Sequence, residues 1–438
     1  MLETLRNAFK IKDIRNRIFY TLVMLVVIRI GSQLPLPGVN SEVIANWFAS
    51  QGTDALNFFD AITGGSFEEM SVFALNITPY ITSSIIMQLL TIAIPALEEM
   101  QKDGEDGRKK IVGITRYLTV GLALLESTAM AVGFGRQGLL TDYNFVNAAS
   151  VVLTLTAGST FLMWIGERIT EKGIGNGISM VLVINIISRI PNDMATLFEQ
   201  FVKDKSIAKG GLAVIIIIAI IVALVVFVVI LQDGERRIAV QYSQKTVGKR
   251  TYGGKSTHIP LRINTAGVIP IIFSSSLMQF PIVIASFLGK DNGKGIGSEI
   301  LRGMNQGNWC NPEQLKYSWG LIVYILLTVF FAYFYTSITF NPLEIANNMK
   351  KSGGFIPGIR PGKPTVEYLT KILNYIIFIG ACGLVFVQII PIFFNGWLGA
   401  QVSFGGTSLI IIVSVILETI KQVESQMLVR NYKGFLNN

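Results

Sequence analysis

Long apolar segments, separated by short polar and charged ones, follow one another along the whole chain. Crossing a hydrocarbon core takes about 20 mostly apolar residues. Ten stretches approach or exceed that length, at about 18–34, 73–95, 113–133, 147–165, 178–191, 212–231, 266–288, 318–339, 372–394 and 406–424. The pattern predicts an all-α polytopic membrane protein with ten transmembrane helices, of which the fifth is short.

Lysine and arginine are distributed unevenly between the segments that join these helices. With ten spans, both chain ends fall on one side of the membrane, and that side carries 26 of the 37 basic residues. The opposite side carries nine, and Arg29 and Arg116 lie within spans. The positive-inside rule assigns the richer side to the cytoplasm, so we expect both termini to be cytoplasmic.

One twelve-residue stretch occurs twice, at residues 77–88 and 268–279. Six of its twelve positions are identical, including Pro79 with Pro270 and a closing glutamine. Each copy lies in the second span of a five-span half, so the two halves run in opposite directions. This arrangement predicts an inverted repeat with a central site, and the proline of each copy is expected to interrupt its helix. Chance similarity between two apolar helices is the alternative.

The spans and loops predict four regions. They are a basic amphipathic helix at 1–17, an N-terminal half at 18–191, a C-terminal half at 192–424 with long cytoplasmic loops at 232–264 and 340–371, and a cytoplasmic tail at 425–438. A solvated N-terminal tail fits the first region almost as well. Residues 56–72 are too polar to span and too apolar for an ordinary loop. They predict a short re-entrant helix inside the protein, with an interfacial surface helix as the alternative.

Composition limits the chemistry. Hydrophobic residues make up 51% of the chain and charged residues 15%, and the formal net charge is +9. A single histidine, His258, argues against a histidine-rich metal site, and two distant cysteines imply no disulfide framework. No phosphate-binding glycine motif occurs, so neither a cofactor nor an enzymatic activity is expected. Arg29 and Glu126 lie within spans, where ionisable groups face protein or water rather than lipid.

Seven motifs resemble those of the SecY family, the central subunits of bacterial protein-translocation channels. They are ITPYITSSIIMQ at 77–88, GEDGRKKI at 104–111, GIGNGIS at 173–179, STHIPL at 256–261, NTAGVIP at 264–270, KKSGGFIPGIRPG at 350–362 and FGGTSL at 404–409. The resemblance extends from Arg17 to Gln426. It implies a clam shell of two inverted five-helix halves around a central pore in the cell (inner or plasma) membrane. Unfolded secretory polypeptides would cross through the pore, and transmembrane segments would leave sideways into lipid.

The resemblance also implies a constriction and a plug. An apolar pore ring is expected at Ile77, Ile81, Ile178, Leu182, Ile272 and Ile411. Two pairs in it are spaced i,i+4, so each shares a helix face. The plug is expected at about 60–72 and includes Ile62, Gly64, Gly65 and Phe67. Glu68 and Glu69 give this plug an acidic stretch that departs from the family pattern.

A lateral gate between spans 2 and 7 follows from the same resemblance. Its expected seam is Thr82, Ser83, Gln88, Asn176, Ser274, Ser275 and Phe280. Instead of bonding across the seam, the hydroxyl groups there can bond to carbonyls of their own helix. Asn176 can cap a helix instead of lining the seam.

The resemblance assigns the two cytoplasmic loops to the ribosome and to the SecA ATPase. The expected docking residues are Arg236, Arg237, Lys249, Arg250 and Arg360. Positive-inside topology alone accounts for part of this charge. Further implied partners are the SecE and SecG subunits, signal sequences, unfolded polypeptide substrates and membrane lipid.

Two other classes of protein compete with the channel hypothesis. An inverted-repeat secondary transporter for a small solute would need polar or charged groups beside its broken helices. Here Pro79 and Pro270 are followed by Ile81 and Ile272, which favours an apolar seal. An intramembrane enzyme is disfavoured by the single histidine and the missing motifs.

Overall fold

The computed structural model describes most of the chain. The described residues are 6, 8–39, 63–136, 138, 140, 143–202, 207–242, 245–247, 250–252, 256–287, 295–312, 314–398 and 406–436. The helices are α1 Lys12–Ser32, α2 Thr78–Ala93, α3 Pro95–Lys102, α4 Glu105–Arg136, α5 Phe145–Lys172, α6 Gly177–Phe201, α7 Ile207–Asp233, α8 Ile269–Phe287, α9 Ile296–Met304, α10 Trp319–Thr339, α11 Pro342–Lys351, α12 Lys363–Leu398 and α13 Gly406–Leu436. The strands are β1 Glu235–Tyr242, β2 Lys245–Val247, β3 Arg250–Tyr252, β4 Ser256–Arg262 and β5 Gly354–Phe355.

Ten of these helices overlap the ten predicted spans, namely α1, α2, α4, α5, α6, α7, α8, α10, α12 and α13. Within the described ranges, six helices are long and apolar enough to cross a membrane by themselves. The number rises to seven if α2 and α3, bent by 101°, count as one span. The fifth predicted span is not short, because α6 extends through Pro191 to 25 residues.

The two halves repeat the same packing. In the N-terminal half, α2 packs on α4, α4 on α5, and α5 on α6, while α1 contacts both α5 and α6. In the C-terminal half, the equivalent helices form the same neighbour pairs: α8 with α10, α10 with α12, α12 with α13, and α7 with both α12 and α13. The short sequence repeat therefore belongs to a repeat of the whole five-helix unit.

The halves meet through different helices on their two sides. On one side α13 and α7 pack against α6, and on the other α8 packs against α4. The twelve-residue repeats lie at the starts of α2 and α8, so both copies adjoin the line between the halves.

The two long basic loops are parts of one structure. β1 lies between β4 and β5 in an antiparallel sheet, with Ile238 opposite Ile259. Strand β5 comes from the second loop, so the sheet joins residues more than a hundred positions apart. Its inner face, with Ile238 and Val240, packs against α11 and α12 through Met349 and Leu369. The described parts of the two loops therefore share one sheet.

Residues 63–72, which are the described part of the re-entrant helix predicted at 56–72, differ from that prediction, whereas residues 56–62 lie outside the described part of the chain. Thr63 is helical, but the chain then continues through consecutive turns as far as α2. Positive φ angles at Gly64, Gly65, Met70 and Asn76 are incompatible with a right-handed helix there. The segment is nevertheless inside the protein, as predicted, because the side chains of Thr63 and Met70 are fully buried.

The N-terminal region also differs from the prediction. Arg6 and residues 8–10 are helical, but α1 already begins at Lys12. Arg15 and Arg17 therefore belong to the first long helix rather than to a separate surface helix. The cause is packing, because Ala8 and Ile14 are buried against Val423 of α13.

Gly158 of α5 supports the buried segment by close approach. A Cβ added there would lie 2.1 Å from the carbonyl oxygen of Val72. We predict that Gly158→Ala lowers the free energy of unfolding by roughly 1–3 kcal/mol, the usual cost of overpacking. Thermal unfolding of the purified protein measures this effect.

Gly121→Ala in α4 is the matched control, since nothing lies within 4 Å of its added Cβ. Alanine there should leave the melting temperature unchanged or raise it, because it favours the helix by about 1 kcal/mol. Equal melting temperatures for the two variants would show that the close approach of Val72 does not exclude a side chain at position 158.

Candidate functional site

One apolar cluster lies where the two halves meet. It contains all six residues of the expected ring, Ile77, Ile81, Ile178, Leu182, Ile272 and Ile411. They come from the starts of α2, α6 and α8 and from α13. Ile77, Leu182 and Ile411 are buried, whereas the other three are partly exposed. Aliphatic side chains from both halves thus pack into one cluster.

The twelve-residue repeat explains how two of these side chains are held alike. Pro79 is the second residue of α2, and Pro270 is the second residue of α8. The prediction that these prolines interrupt their helices is therefore wrong. The first backbone N–H groups of a helix have no partner within it, so proline costs nothing at this position. In both copies, the backbone N–H of the isoleucine two residues on, Ile81 or Ile272, donates to the fourth carbonyl before it, at 3.1 and 3.2 Å.

The serines of the expected gate make local bonds. Ser83 donates to the carbonyl of Pro79 at 2.7 Å, and Ser274 donates to that of Pro270 at 2.8 Å. Ser275 donates to its own helix at 2.8 Å, and its hydroxyl lies 3.1 Å from that of Tyr324 in α10. These serines therefore bond within their own helices, which was the alternative to a bond across the seam. Their side chains do not bridge α2 and α8 in this conformation.

The remaining gate residues lie in different settings. Gln88 donates to Ser84 of its own helix at 3.5 Å, and Thr82 is half-buried on α2. Phe280 belongs to α8, but its side chain lies outside the described part of the chain. Asn176 is the N-cap of α6, since its side chain accepts from the backbone N–H groups of Ile178 and Ser179. Sequence reasoning missed α4, which packs against both α2 and α8.

The described part of the expected plug is pinned to α1 and α6. The carbonyl of Gly64 accepts from Arg29 and from Ser188, each at 3.4 Å. A Cβ at Gly64 would lie 2.6 Å from the carbonyl oxygen of Asn185, so only glycine fits this approach. Arg29 therefore faces protein, as expected for an ionisable group in a span. Ile62 lies outside the described residues.

Phe67 secures the same segment to α4. It is 1% exposed, and its ring centroid lies 6.5 Å from that of Phe134. Gly65 has a φ of +87°, and nothing lies within 4 Å of a Cβ added there, so it serves the turn rather than packing. The backbone N–H of Leu36 donates to the carbonyl of Met70, and that of Val72 donates to the carbonyl of Leu34. These two hydrogen bonds join the segment to the chain that follows α1.

A buried amide pair holds the end of the segment. The side chain of Asn185 in α6 donates to that of Asn76 at 3.0 Å, and Ser159 of α5 donates to the backbone carbonyl of Asn76 at 2.9 Å. Asn76 has a φ of +50°, which asparagine tolerates better than most residues. No sequence signal links these residues, because Asn76 and Asn185 are 109 positions apart.

The acidic stretch of the segment meets a basic side chain. The carboxylate of Glu68 lies 3.4 Å from the guanidinium of Arg189, which also lies 3.9 Å from Asp193. Burial nevertheless raises the pKa of Glu68, and the neighbouring Glu69 raises this pKa further. Desolvation and repulsion thus outweigh the attraction of Arg189, so the ionised form of Glu68 is disfavoured at this position.

The expected docking arginines lie on the sheet and the second loop. Arg236 and Arg237 are exposed on β1, and Arg237 pairs with Glu235 at 2.7 Å. Arg360 is exposed, and its carbonyl accepts from Thr365 at 2.9 Å, which fixes the loop. Arg250 belongs to β3, whereas Lys249 lies outside the described residues. Among the described residues, no group of His, Cys, Asp or Glu could hold a metal ion.

Comparisons with known proteins agree with this architecture. A family model described as SecY matches residues 71–420. The chain belongs to the SecY family. It is 42% identical to the "Protein translocase subunit SecY" of Corynebacterium glutamicum, over 98% of this chain and 99% of that one. It is also 42% identical to the protein of the same description from Bacillus subtilis, over the full length of both.

Two solved structures share the fold of this SecY-family chain. One is described as "The structure of a protein conducting channel", with a TM-score of 0.61, 18% identity and coverage of 94% of this chain and 93% of that one. The other is described as "Sec61 in the Canine ribosome-channel complex from the endoplasmic reticulum", with a TM-score of 0.58, 18% identity and the same coverage. The predicted ten-helix, multi-pass membrane fold is confirmed.

We predict that Asn185→Leu destabilises the buried segment. It removes the donor to the Asn76 side chain, and losing one partner of a buried hydrogen bond costs about 1–3 kcal/mol. Thermal unfolding should show a lower midpoint for this variant than for Asn192→Leu, an exposed position on the same helix. Equal midpoints would mean that the amide pair contributes nothing.

Glu68 makes stability depend on pH. Because its folded pKa is raised above the ordinary value of 4.5, stability should fall as pH rises from 4.5 through the raised pKa and then stay level. We predict that Glu68→Gln raises the melting temperature at pH values above this range. The melting temperature of this variant should also depend less on pH. The control is Glu367→Gln, at an exposed site; a flat wild-type profile would contradict the prediction.

Proposed function

We propose that this chain is the pore-forming subunit of a protein-conducting channel. It would move unfolded secretory polypeptides across the membrane and release transmembrane segments sideways into lipid. The observation that carries the proposal is the aliphatic constriction of six side chains between two copies of one five-helix fold. The relatives are described as protein translocase subunits, and a structural neighbour is described as a protein conducting channel.

An aliphatic constriction suits a channel for unfolded protein. A ring of bulky apolar side chains loses its water when empty, which stops ions, and it adapts to the varied side chains of a passing polypeptide. A transporter for one small solute would instead need fixed polar groups that recognise the solute. The starts of α2, α6 and α8 supply isoleucine and leucine at this point.

Residues 63–76 act as the plug of this channel. Their polar contacts with α1, α5 and α6 include single hydrogen bonds and an ion pair, each of modest strength. Phe67, Met70 and Leu75 are in addition buried in an apolar cluster with α4 and α5. A polypeptide that enters must displace both sets of contacts, which form again after it has left. Glu68 assists its displacement, since its ionised form is disfavoured in the resting position.

The lateral exit lies between α2 and α8, and α4 contributes to its closure. In the resting conformation α8 packs against α4, so a signal sequence that leaves sideways must replace contacts of α4 as well as those of α2. The buried serines of the repeat bond to their own helices, so their hydroxyl groups keep a partner when the two helices separate into lipid.

The sheet of β1, β4 and β5 is the docking surface for the ribosome and for the SecA ATPase. Exposed arginines on a rigid support suit phosphate groups of RNA and acidic protein surfaces. Arg236, Arg237 and Arg360 lie on the two loops that this sheet joins. The Sec61 neighbour is described in a complex with the ribosome. The SecE and SecG subunits complete the complex in the cell inner membrane, with both termini of this chain in the cytoplasm.

The test of the constriction is the double variant Ile81→Ser, Ile272→Ser. These two residues occupy the same position of the repeat, and serine should let water and ions remain between them. The expected result is a raised ion conductance of the resting channel in planar bilayers, while secretion of a precursor protein continues.

The matched control is Leu89→Ser with Leu277→Ser, on the exposed faces of the same two helices. This control should not leak. If the double isoleucine variant does not leak either, and the protein instead takes up one solute, the transporter hypothesis replaces the channel.

A further inference from the structure

The loop that precedes α6 has an acceptor for almost every backbone N–H. Gly173 donates to the carbonyl of Ile169 at 2.7 Å, and Gly177 donates to the side chain of Thr170 at 2.9 Å. The N–H groups of the next two residues donate to the N-cap Asn176. The remaining two acceptors come from distant helices, Thr21 of α1 and Gln422 of α13.

Two threonines connect this loop to α1 and α5. Thr21 accepts from the N–H of Ile174 at 3.0 Å and gives its own hydrogen to the carbonyl of Arg17 at 3.0 Å. Thr170 accepts from Gly177 and donates to the carbonyl of Gly166 at 2.9 Å. Each hydroxyl is therefore oriented by its own helix, so that its oxygen is available to the loop.

Gln422 makes the bond that crosses between the halves. Its side-chain oxygen accepts from the N–H of Gly175 at 2.7 Å. Gly175 is buried, and its φ of +84° turns the N–H toward α13. A Cβ at Gly175 would lie 2.9 Å from the hydroxyl of Thr419, so the loop lies directly against α13.

The same face of α13 leads from this bond to the constriction. Ile411, Val415, Thr419 and Gln422 are spaced by four, four and three residues, which puts them along one side of a helix. Ile411 and Val415 belong to the apolar cluster. On the other side of the contact, α6 begins at Gly177, and its first turns carry Ile178 and Leu182.

We propose that Gln422 is a positioning residue for the constriction: its bond to Gly175 sets the start of α6 against α13, and thereby Ile178 and Leu182 against Ile411. The proposal rests on the function proposed above. Glycines permit the close fit, since a Cβ at Gly177 would lie 1.9 Å from the carbonyl oxygen of Gly166. The ion pair of Lys421 with Asp233, at 2.7 Å, holds the adjoining part of α13 to α7. The loop bond therefore sets the register between the halves.

Hydrogen–deuterium exchange of the full-length chain in lipid tests the bond itself. Gln422→Leu should speed exchange in the peptide that covers residues 173–177 by about two- to tenfold, which is the effect of one net hydrogen bond. Gln422→Glu keeps the accepting oxygen and should restore slow exchange. Gln426→Leu, one turn further along α13, is the control. Equal exchange in all four proteins overturns the proposal.

Ion conductance of the resting channel tests the positioning. If the bond favours the sealed arrangement, Gln422→Leu should raise the ion conductance of the resting channel by up to about tenfold. Gln422→Glu should return the conductance to the wild-type value. Faster exchange without a leak would make Gln422 a merely structural contact and would also overturn the proposal. Neither result depends on the outcome for Ile81 and Ile272, so a failure of the channel function is recognised separately.

Discussion

The hydrocarbon interior of a membrane offers no hydrogen-bonding partners, so each backbone N–H and C=O inside it needs a partner within the protein. The long helices meet this requirement through their own backbone ladders. Two non-helical stretches, residues 63–77 and the loop 173–176, likewise find backbone partners on side chains of distant helices, such as Ser159, Thr21 and Gln422. The positions of α2 and α6, and of the aliphatic side chains on them, follow from where these partners lie.

The repeat of the five-helix unit gives the constriction its composition, and the unequal contacts between the halves suit the proposed function. Equivalent helices contribute Ile81 and Ile272 to the cluster. On one side the halves are joined by α6, α7 and α13, with a hydrogen bond from Gly175 to Gln422. On the other side they meet through α4 and α8, and the gate serines of α8 bond to carbonyls of their own helix. A pair of halves joined in this way would separate more readily on the second side.

The sequence was sufficient for the membrane fold and the repeat, because these depend on apolar periodicity and on local motifs. The six expected ring residues fall in one apolar cluster. It was insufficient for the plug segment, where left-handed residues such as Gly64 and Met70 replace the described part of the predicted helix with turns. It also missed the pairing of β1 with β5 and of Asn76 with Asn185, since contacts between residues so far apart leave no local pattern. Pro79 and Pro270 were misread as interruptions because a proline that starts a helix has the same local signature.

The central claim is that a polypeptide passes between Leu182 and Ile411. Photo-cross-linking residues at these two positions, in a channel that holds a secretory precursor stalled part-way by a folded domain, test it most directly. Our account predicts that both positions cross-link to the precursor, whereas Leu153 of α5 and Ile230 of α7, on exposed helix faces, do not. Cross-links from the two exposed positions but none from Leu182 and Ile411 would contradict it.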